Sequence, residues 1–183
     1  IMAGGVGARF WPLSRTNYPK QFIDFLGVGK SLLQMTVSRF ENICPSENMY
    51  IVTNESYYDL VKKQVPQFTD EQIILEPMRR NTAPCIAYAN YRIKKKNPNA
   101  NIVVAPSDHI IFNEIAFVEH IQAALACAER NPWLLTLGIQ PTRPDTGYGH
   151  IQYAEKNRYV PDRRTYKVKV FPEQPELELA QQL

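Results

Sequence analysis

Short apolar runs alternate with amphipathic helical stretches along most of this 183-residue chain. The apolar runs are rich in Ile, Val and Leu, as buried strands are, and lie at 49–52, 72–75, 101–105 and 133–137. Helical periodicity predicts helices from Ser31 onward and at 54–63, 82–96 and 114–130. Strands that alternate with helices form βαβ units. The sequence therefore predicts an α/β fold with a doubly wound, mostly parallel (Rossmann-like) sheet and helices on both faces.

Local signals place several boundaries of these elements. Ser31 and Gln34 have the spacing of a capping box, which begins the first long helix. Asn54 is expected to cap the next helix with its side chain. Later in the chain the pattern changes, because residues 149–154 and 166–171 alternate as exposed strands do.

Composition excludes several classes of protein. Hydrophobic residues make up 44% of the chain and charged residues 21%, which is typical of a globular protein. The net charge of +3, with no arginine-rich stripe, does not favour nucleic acid as a partner. No apolar run is long enough to span a bilayer, so we expect no membrane partner. The three cysteines are far apart and form no C-x-x-C pair, which favours a reducing, cytoplasmic setting without zinc or disulfides.

The chain opens with a glycine-rich stretch directly after two apolar residues that resemble the end of a strand. Glycine permits close approach of an anion to backbone N–H groups, and it tolerates the positive φ that makes these groups converge. Two cations follow nearby. The predicted phosphate-binding loop therefore consists of Ala3, Gly4, Gly5 and Gly7 together with Arg9 and Lys20.

Two better-known glycine loops do not fit this chain. The dinucleotide pattern G-x-G-x-x-G needs a glycine where Phe10 stands. The tail of a P-loop occurs at 29–31, but the first glycine of that pattern would fall on Asp24. An ordinary tight turn is the alternative for three glycines alone. The spacing G-G-x-G-x-R-x-x-P-L, followed by P-K, favours the phosphate-binding interpretation.

Two carboxylates follow predicted strands, at the same edge of the sheet as the glycine loop. Ligands of open α/β sheets bind beyond the carboxyl ends of strands. Asp108, next to Ser107, offers the hard oxygen that Mg²⁺ prefers, although an aspartate here could also cap a turn. Zinc is disfavoured because His109 has no second histidine at metal spacing.

Glu76 is a candidate for reading a nucleobase. Guanine presents two adjacent donors, N1–H and the exocyclic amino group, and one carboxylate can accept from both. The backbone of Thr82 and Ala83 would supply further contacts to the base. The alternative is structural: Glu76 would only end a strand, and Asn81 or Thr82 would cap the next helix. Both roles can hold together.

A second group of candidates lies near the C-terminal end. Gly147 and Gly149 flank Tyr148, and glycine permits a sugar phosphate to approach the backbone, although this stretch could be only a turn. Glu173 could bind sugar hydroxyls, or could belong to a plain strand-to-helix turn.

Together these segments resemble the mannose-1-phosphate guanylyltransferase branch of the sugar-phosphate nucleotidyltransferase family. The resemblance covers nearly the whole chain. It is carried by GGVGARFWPLSR at 4–15, YPKQF at 18–22, EPMRRNTAP at 76–84, PSDH at 106–109 and GYGHI at 147–151.

The resemblance implies transfer of GMP from GTP to mannose 1-phosphate with Mg²⁺ as cofactor. Arg9 and Lys20 would hold the triphosphate, and Asp108 would bind the metal. The resemblance further implies contacts to the base from Glu76, Asn81, Thr82 and Ala83, and contacts to the mannose from Gly149 and Glu173. Ser107, Tyr148 and Gln174 are further candidates for substrate binding. Gln174 departs from the family, which usually has lysine there in F-x-E-K-P.

The resemblance also implies that residues 1–183 are the N-terminal portion of a nucleotidyltransferase catalytic domain, because family members are about twice as long. Other interpretations stay open: another sugar or nucleotide, or a nucleotide-binding module without catalysis. A metal-dependent glycosyltransferase is disfavoured because no two aspartates form D-x-D. An assembly of identical copies also stays open.

Overall fold

The computed structural model describes residues 1–5, 7, 10–78, 80–158 and 165–182, without the side chains of 155–158. The chain divides into two compact units, 1–125 and 126–183. The helices are α1 (Leu32–Phe40), α2 (Tyr58–Gln64), α3 (Thr82–Lys96), α4 (Glu114–Arg130) and α5 (Leu177–Gln182). The strands are β1 (Ile51–Thr53), β2 (Ile73–Leu75), β3 (Gln152–Arg158) and β4 (Tyr166–Val170). Helix α4 begins in the first unit and ends in the second.

The first unit is built on parallel backbone pairing. Strand β1 pairs with β2 in parallel register, Ile51 opposite Ile73. Met2 forms parallel bridges to Val52 on one side and to Pro106 on the other. The paired backbone therefore lies in the spatial order β2, β1, 1–3 and 105–107, all parallel. The strand predicted at 101–105 is wrong, because this stretch pairs with 1–3 only at its end, through Ala105, Pro106 and Ser107. The fold is mixed α/β with small sheets.

The second unit contains an antiparallel pair instead. Strands β3 and β4 pair antiparallel, with Gln152 opposite Val170, which confirms the two exposed strands predicted from alternation. The strand predicted at 133–137 is wrong. The strands of the described residues do not include this segment. A continuous apolar run is typical of a strand that is buried on both faces, whereas Leu134 is fully exposed.

The boundaries of α1 and α3 agree with the sequence predictions more closely than the strands do. Both hydrogen bonds of the Ser31–Gln34 capping box are present, which confirms the predicted start of α1. Helix α3 spans the predicted range, with Pro84 in its first turn. None of the described helices is long and apolar enough to cross a membrane.

The prediction that Asn54 caps a helix with its side chain is wrong. A 3₁₀ turn at Glu55–Tyr57 precedes α2, and the carbonyl oxygen of Asn54 accepts from the N–H of Tyr57 at 3.1 Å. The backbone therefore satisfies the donor that a capping side chain would have bound. Both amide atoms of the buried Asn54 side chain lack a partner among the described residues.

A buried arginine ties α1 to the segment that follows Asp108. Arg39 is only 2% exposed, and its guanidinium lies 3.3 Å from a carboxylate oxygen of Glu114. It also donates to the carbonyl oxygen of His109 at 3.5 Å and lies 5.6 Å from the ring centre of Phe117. The 109–117 segment is thus held against the core by a buried charged group that is both ion-paired and hydrogen-bonded.

We expect Arg39→Met to lower the free energy of unfolding by about 2 kcal/mol, because it leaves Glu114 and the His109 carbonyl without their donor. Urea unfolding measures this change. The control is Lys96→Met, which removes an exposed ion pair with Glu71 and should leave the unfolding midpoint unchanged. Equal effects of the two substitutions would contradict the anchoring role of Arg39.

Candidate functional site

Neighbouring residues fix the glycine-rich loop by hydrogen bonds to its backbone. The N–H of Ala3 donates to Val52 O at 2.7 Å, and the Ala3 carbonyl accepts from the Thr53 hydroxyl at 3.0 Å. The amide of the buried Gln21 donates to Ala3 O at 3.0 Å and to Gly5 O at 2.9 Å. Because the loop's carbonyl oxygens are used in this way, they are held in a single arrangement.

Sequence reasoning did not assign a role to Gln21. The residue belongs to the Y-P-K-Q-F stretch, and its amide reaches back 16 residues to Gly5. The signal available was a lone glutamine between Lys20 and Phe22, which is uninformative without knowledge of what its amide is buried against. Its two donated hydrogen bonds make it a positioning residue for the loop.

Glu76 lies directly against Gly4. A Cβ added to Gly4 would be 3.1 Å from Oε2 of Glu76, which is tighter than an ordinary van der Waals contact. The carboxylate can lie this close to the backbone because residue 4 has no side chain. The N–H of Glu76 donates to Thr53 O at 2.8 Å, so the residue continues the pairing of β2 with β1. The structure thus brings together the first glycine of the loop and the carboxylate predicted to read the base.

Gly7 lies about as close to Lys20 as Gly4 does to Glu76. Gly7 has φ +65°, a conformation that L side chains rarely adopt, and an added Cβ would lie 3.0 Å from the backbone N of Lys20. The Gly7 carbonyl accepts from the Ser14 hydroxyl and from the N–H of Phe10 at 3.1 Å. Glycine is therefore required here both by conformation and by space.

Lys20 forms an ion pair with Asp108, and each side chain is about a quarter or less exposed. Its ammonium group also lies 5.4 Å from the ring centre of Phe10. Ser107 is buried, and its N–H donates to Met2 O at 3.0 Å, which fixes the start of the turn that carries Asp108. Arg9, the other predicted cation, lies outside the described residues.

These contacts meet where the order of the parallel segments reverses. Along the chain, the paired segments run outward from 1–3 to β1 and β2, and then return to 105–107 on the opposite side of 1–3. Ligands of open parallel sheets bind in the crevice at such a reversal, beyond the carboxyl ends of the strands. The glycine loop and Asp108 follow the two segments that flank it.

The start of α3 does not show the side-chain cap that the structural alternative expected from Asn81. Asn81 occupies the N-cap position, but its side chain makes no capping hydrogen bond. Side-chain caps need an extended backbone with negative φ, whereas Asn81 has φ +65°. Asn81, Thr82 and Ala83 are all exposed, at the end of the loop that begins with Glu76.

Cys85 lies in the first turn of α3. Burial, together with the nearby charge of Glu76 and a hydrogen bond to that carboxylate, raises the pKa of the Cys85 thiol to about 11. The thiol is therefore protonated across the physiological range. Sequence reasoning missed this residue, because a lone cysteine in a helix has no distinguishing pattern.

The second unit holds the remaining predicted residues in adjoining segments. An added Cβ on Gly149 would lie 3.0 Å from the Phe171 ring, and the next residue's N–H donates to Pro172 O at 3.0 Å. Tyr148, Glu173 and Gln174 are exposed on either side of this contact. Gln174 has φ +47°. The first unit alone holds the glycine loop, Lys20, Glu76 and Asp108.

Comparison with known proteins identifies the family. The family model described as nucleotidyl transferase matches residues 1–183. The chain belongs to the nucleotidyl transferase family.

Two curated relatives of this nucleotidyl transferase chain are mannose-1-phosphate guanylyltransferases. The one from Salmonella montevideo is 42% identical over 185 residues, covering 99% of this chain and 38% of the relative. The one from Escherichia coli K12 is 40% identical with the same coverage. The chain thus spans about two fifths of the length of the curated relatives it matches. A crystal structure from Thermus thermophilus, named mannose-1-phosphate geranyltransferase, has a TM-score of 0.85 and 30% identity, covering 99% of this chain and 51% of that one.

The contacts of Gly4 generate a direct prediction. Gly4→Ala places a methyl group against the Glu76 carboxylate and should displace it by a few tenths of an ångström, whereas Gly138→Ala, outside the loop, makes only an ordinary contact with Ile151 at 3.9 Å. We expect Gly4→Ala to weaken nucleoside triphosphate binding about tenfold, in line with the sensitivity of binding sites to small displacements. Titration calorimetry measures both variants. Gly138→Ala should bind as the unmodified chain does, and an equal loss in both variants would contradict the proposed contact.

Proposed function

We propose that the protein transfers GMP from GTP to mannose 1-phosphate. A phosphate oxygen of the sugar phosphate attacks the α-phosphorus of GTP in line. A new P–O bond forms, the bond from the α-phosphorus to the bridging oxygen breaks, and pyrophosphate leaves with the electron pair. A phosphate monoester with a second pKa near ~6 is largely ionised at neutral pH, so the attack needs no general base from the protein. The names and identities of the curated relatives support this choice of substrates.

The base would be selected by Glu76. A carboxylate accepts but does not donate when ionised, so it matches the two adjacent donors of guanine and none of the acceptors of adenine at the same edge. Its position against Gly4 places it at the start of the phosphate-binding loop. Asn81, Thr82 and Ala83 would contribute contacts at the exposed start of α3.

The triphosphate would lie on the loop of Ala3, Gly4, Gly5 and Gly7. Lys20 already lies beside the loop, since a Cβ added to Gly7 would be 3.0 Å from its backbone N. Lys20 and Arg9 would neutralise the charge that develops on the departing pyrophosphate, which is the main task of a phosphoryl-transfer enzyme.

Asp108 suits Mg²⁺ as a single carboxylate ligand. The described residues contain no group of three or more acidic, histidine or cysteine side chains that could hold a metal by themselves. Mg²⁺ in nucleotide enzymes commonly uses one or two carboxylates and takes its other ligands from phosphates and water. The partly exposed Asp108 carboxylate, compensated by Lys20, fits that donor set. When bound, the metal would supply charge neutralisation at the phosphates.

The sugar phosphate would contact Tyr148, Gly149 and Glu173. Gln174 is neutral where the family usually has a lysine, so this chain would bind the sugar phosphate without that cation. We also propose that residues 1–183 are the N-terminal portion of the catalytic domain, with a doubly wound parallel sheet covered on both faces. The three unpaired cysteines support a cytoplasmic setting.

The placement of the Glu76 carboxylate against the phosphate-binding loop carries this proposal. We expect the full chain with Mg²⁺ to bind GTP more tightly than ATP or UTP, and Glu76→Gln to abolish the preference. The amide replaces one acceptor oxygen with a donor that faces a donor of guanine. Loss of a charged hydrogen bond together with this mismatch should cost about 2–4 kcal/mol, or about 30-fold to 1,000-fold in affinity for GTP.

Glu71→Gln is the matched control, because it makes the same change of charge at an exposed position near the start of β2. It should leave all three affinities unchanged. Equal affinity of the unmodified chain for GTP, ATP and UTP would contradict guanine reading. A GTP preference without GDP-mannose formation from mannose 1-phosphate would instead support a nucleotide-binding module.

The ion pair between Lys20 and Asp108 yields a prediction about metal dependence. Asp108→Asn removes the carboxylate and frees Lys20, so we expect GTP to bind at least as tightly without Mg²⁺ as it does to the unmodified chain. The gain in affinity from added Mg²⁺ should fall about 10- to 100-fold. Calorimetry with and without Mg²⁺ measures both quantities, with the exposed Asp59→Asn as control. An unchanged response to Mg²⁺ would contradict the role of Asp108.

A further inference from the structure

The Gln21 side chain binds two carbonyl groups of the glycine-rich loop with one amide nitrogen. Gln21 is 2% exposed, and its Nε2 donates to Ala3 O at 3.0 Å and to Gly5 O at 2.9 Å. The hydroxyl of the buried Thr53 donates to the same Ala3 carbonyl at 3.0 Å. The carbonyl groups of the residues on either side of Gly4 are therefore both turned toward buried donors.

The direction of the Ala3 carbonyl also determines the direction of the next N–H. The peptide bond between Ala3 and Gly4 is trans. In a trans peptide the C=O of one residue and the N–H of the next point in opposite directions. Because the Ala3 carbonyl points to Gln21 and Thr53, the N–H of Gly4 points away from these buried side chains.

This arrangement keeps partial negative charge away from an anion on the loop. A carbonyl oxygen repels a phosphate, whereas backbone N–H groups attract one. The residue before Gln21 is Lys20, whose backbone lies against Gly7. One short turn, Lys20–Phe22, thus supplies both a cation beside the loop and the amide that orients the loop.

We propose that Gln21 is a positioning residue for the triphosphate, because its amide holds the carbonyl oxygens of Ala3 and Gly5 inward, so that the Gly4 N–H faces the phosphates instead. This inference rests on the function proposed above and adds to it a residue that acts through the backbone of the loop. Its effect falls on the phosphates, which GTP and ATP share. Gln21 and Glu76 therefore make separable contributions to nucleotide binding.

The chemistry of the position favours an amide. Two hydrogens on one nitrogen serve two acceptors, which a hydroxyl with a single hydrogen cannot do. A lysine would bring enough donors, but its charge would be costly to bury. A glutamate has the shape of glutamine, yet when ionised it only accepts, and it would face two carbonyl oxygens. A protonated glutamate regains one donor, which makes pH a direct probe of donation at this position.

The first comparison uses Gln21→Met, which fills a similar space without a donor. Titration calorimetry of the full chain with Mg²⁺ measures the affinity for GTP and for ATP. We expect Gln21→Met to weaken binding of both nucleotides about tenfold, the size of a lost hydrogen bond at each carbonyl group, and to leave the GTP-to-ATP affinity ratio unchanged.

Gln21→Glu adds a readout that altered packing does not produce. Burial raises the pKa of the introduced carboxyl, so lowering the pH from about 8 to about 6 should protonate it and strengthen GTP binding about tenfold relative to the unmodified chain. Lys20, Glu76 and Asp108, the charged groups around the loop, are present in both proteins, and so are the phosphates. The ratio of the two affinities therefore removes their titration. Gln67→Glu, at an exposed position, is the matched control and should show no such response.

The outcomes distinguish this inference from the proposed function. Weaker binding in Gln21→Glu without a response to pH would overturn the role of Gln21, because only packing would then matter. A changed GTP-to-ATP ratio in Gln21→Met would also overturn it, since the amide would then act on the base. Equal affinity of the unmodified chain for GTP and ATP would contradict base reading alone, and binding of neither would overturn both.

Thermal unfolding of each variant at each pH shows that folded proteins are compared. If Gln21→Met does not fold, the pH response of Gln21→Glu decides, because that comparison is made within one variant.

Discussion

The parallel pairing of residues 1–3 between Val52 and Pro106 determines where every proposed nucleotide contact can lie. Hydrogen bonds on both sides hold this segment, from Ala3 N to Val52 O and from Met2 N to Ala105 O. The chain that leaves it must begin its turn at Gly4, between the ends of two neighbouring segments. Glu76 and Asp108 reach the loop because their own segments pair into the same parallel array. Backbone hydrogen bonding therefore places the charged groups, and the side chains only refine that placement.

Local patterns were sufficient for the start of α1 and for the range of α3. The capping box at Ser31 and the periodicity of 82–96 depend on neighbours within a few residues, and both predictions are confirmed. Asn54 shows the limit of the same reasoning. Its residue type suits a cap, but a backbone hydrogen bond satisfies the donor in its place. The strand predicted at 133–137 failed for a related reason, because pairing is a property of two segments and an apolar run describes only one.

The contacts that tune the candidate site were not predictable from the sequence. Gln21 reaches the glycine loop across 16 residues, and the partner of Lys20 lies far along the chain at Asp108. Neither contact produces a periodic pattern in the sequence, since each depends on how loops meet in the folded chain. Sequence reasoning could place Glu76 and Asp108 at one edge by the rule for strand ends. It could not show that Lys20 already neutralises Asp108.

The ion pair between Lys20 and Asp108 determines how charge is balanced when the proposed ligands bind. In the ligand-free chain each charge compensates the other, so neither is left partly buried and unpaired. GTP and Mg²⁺ bring charges of opposite sign, and each can take the place of one protein partner: the triphosphate meets Lys20 as the metal meets Asp108. The exchange keeps every charge paired at the start and at the end, which limits the cost of breaking the original ion pair. A site arranged in this way favours nucleotide and metal arriving together, because either one alone would leave Lys20 or Asp108 without a partner.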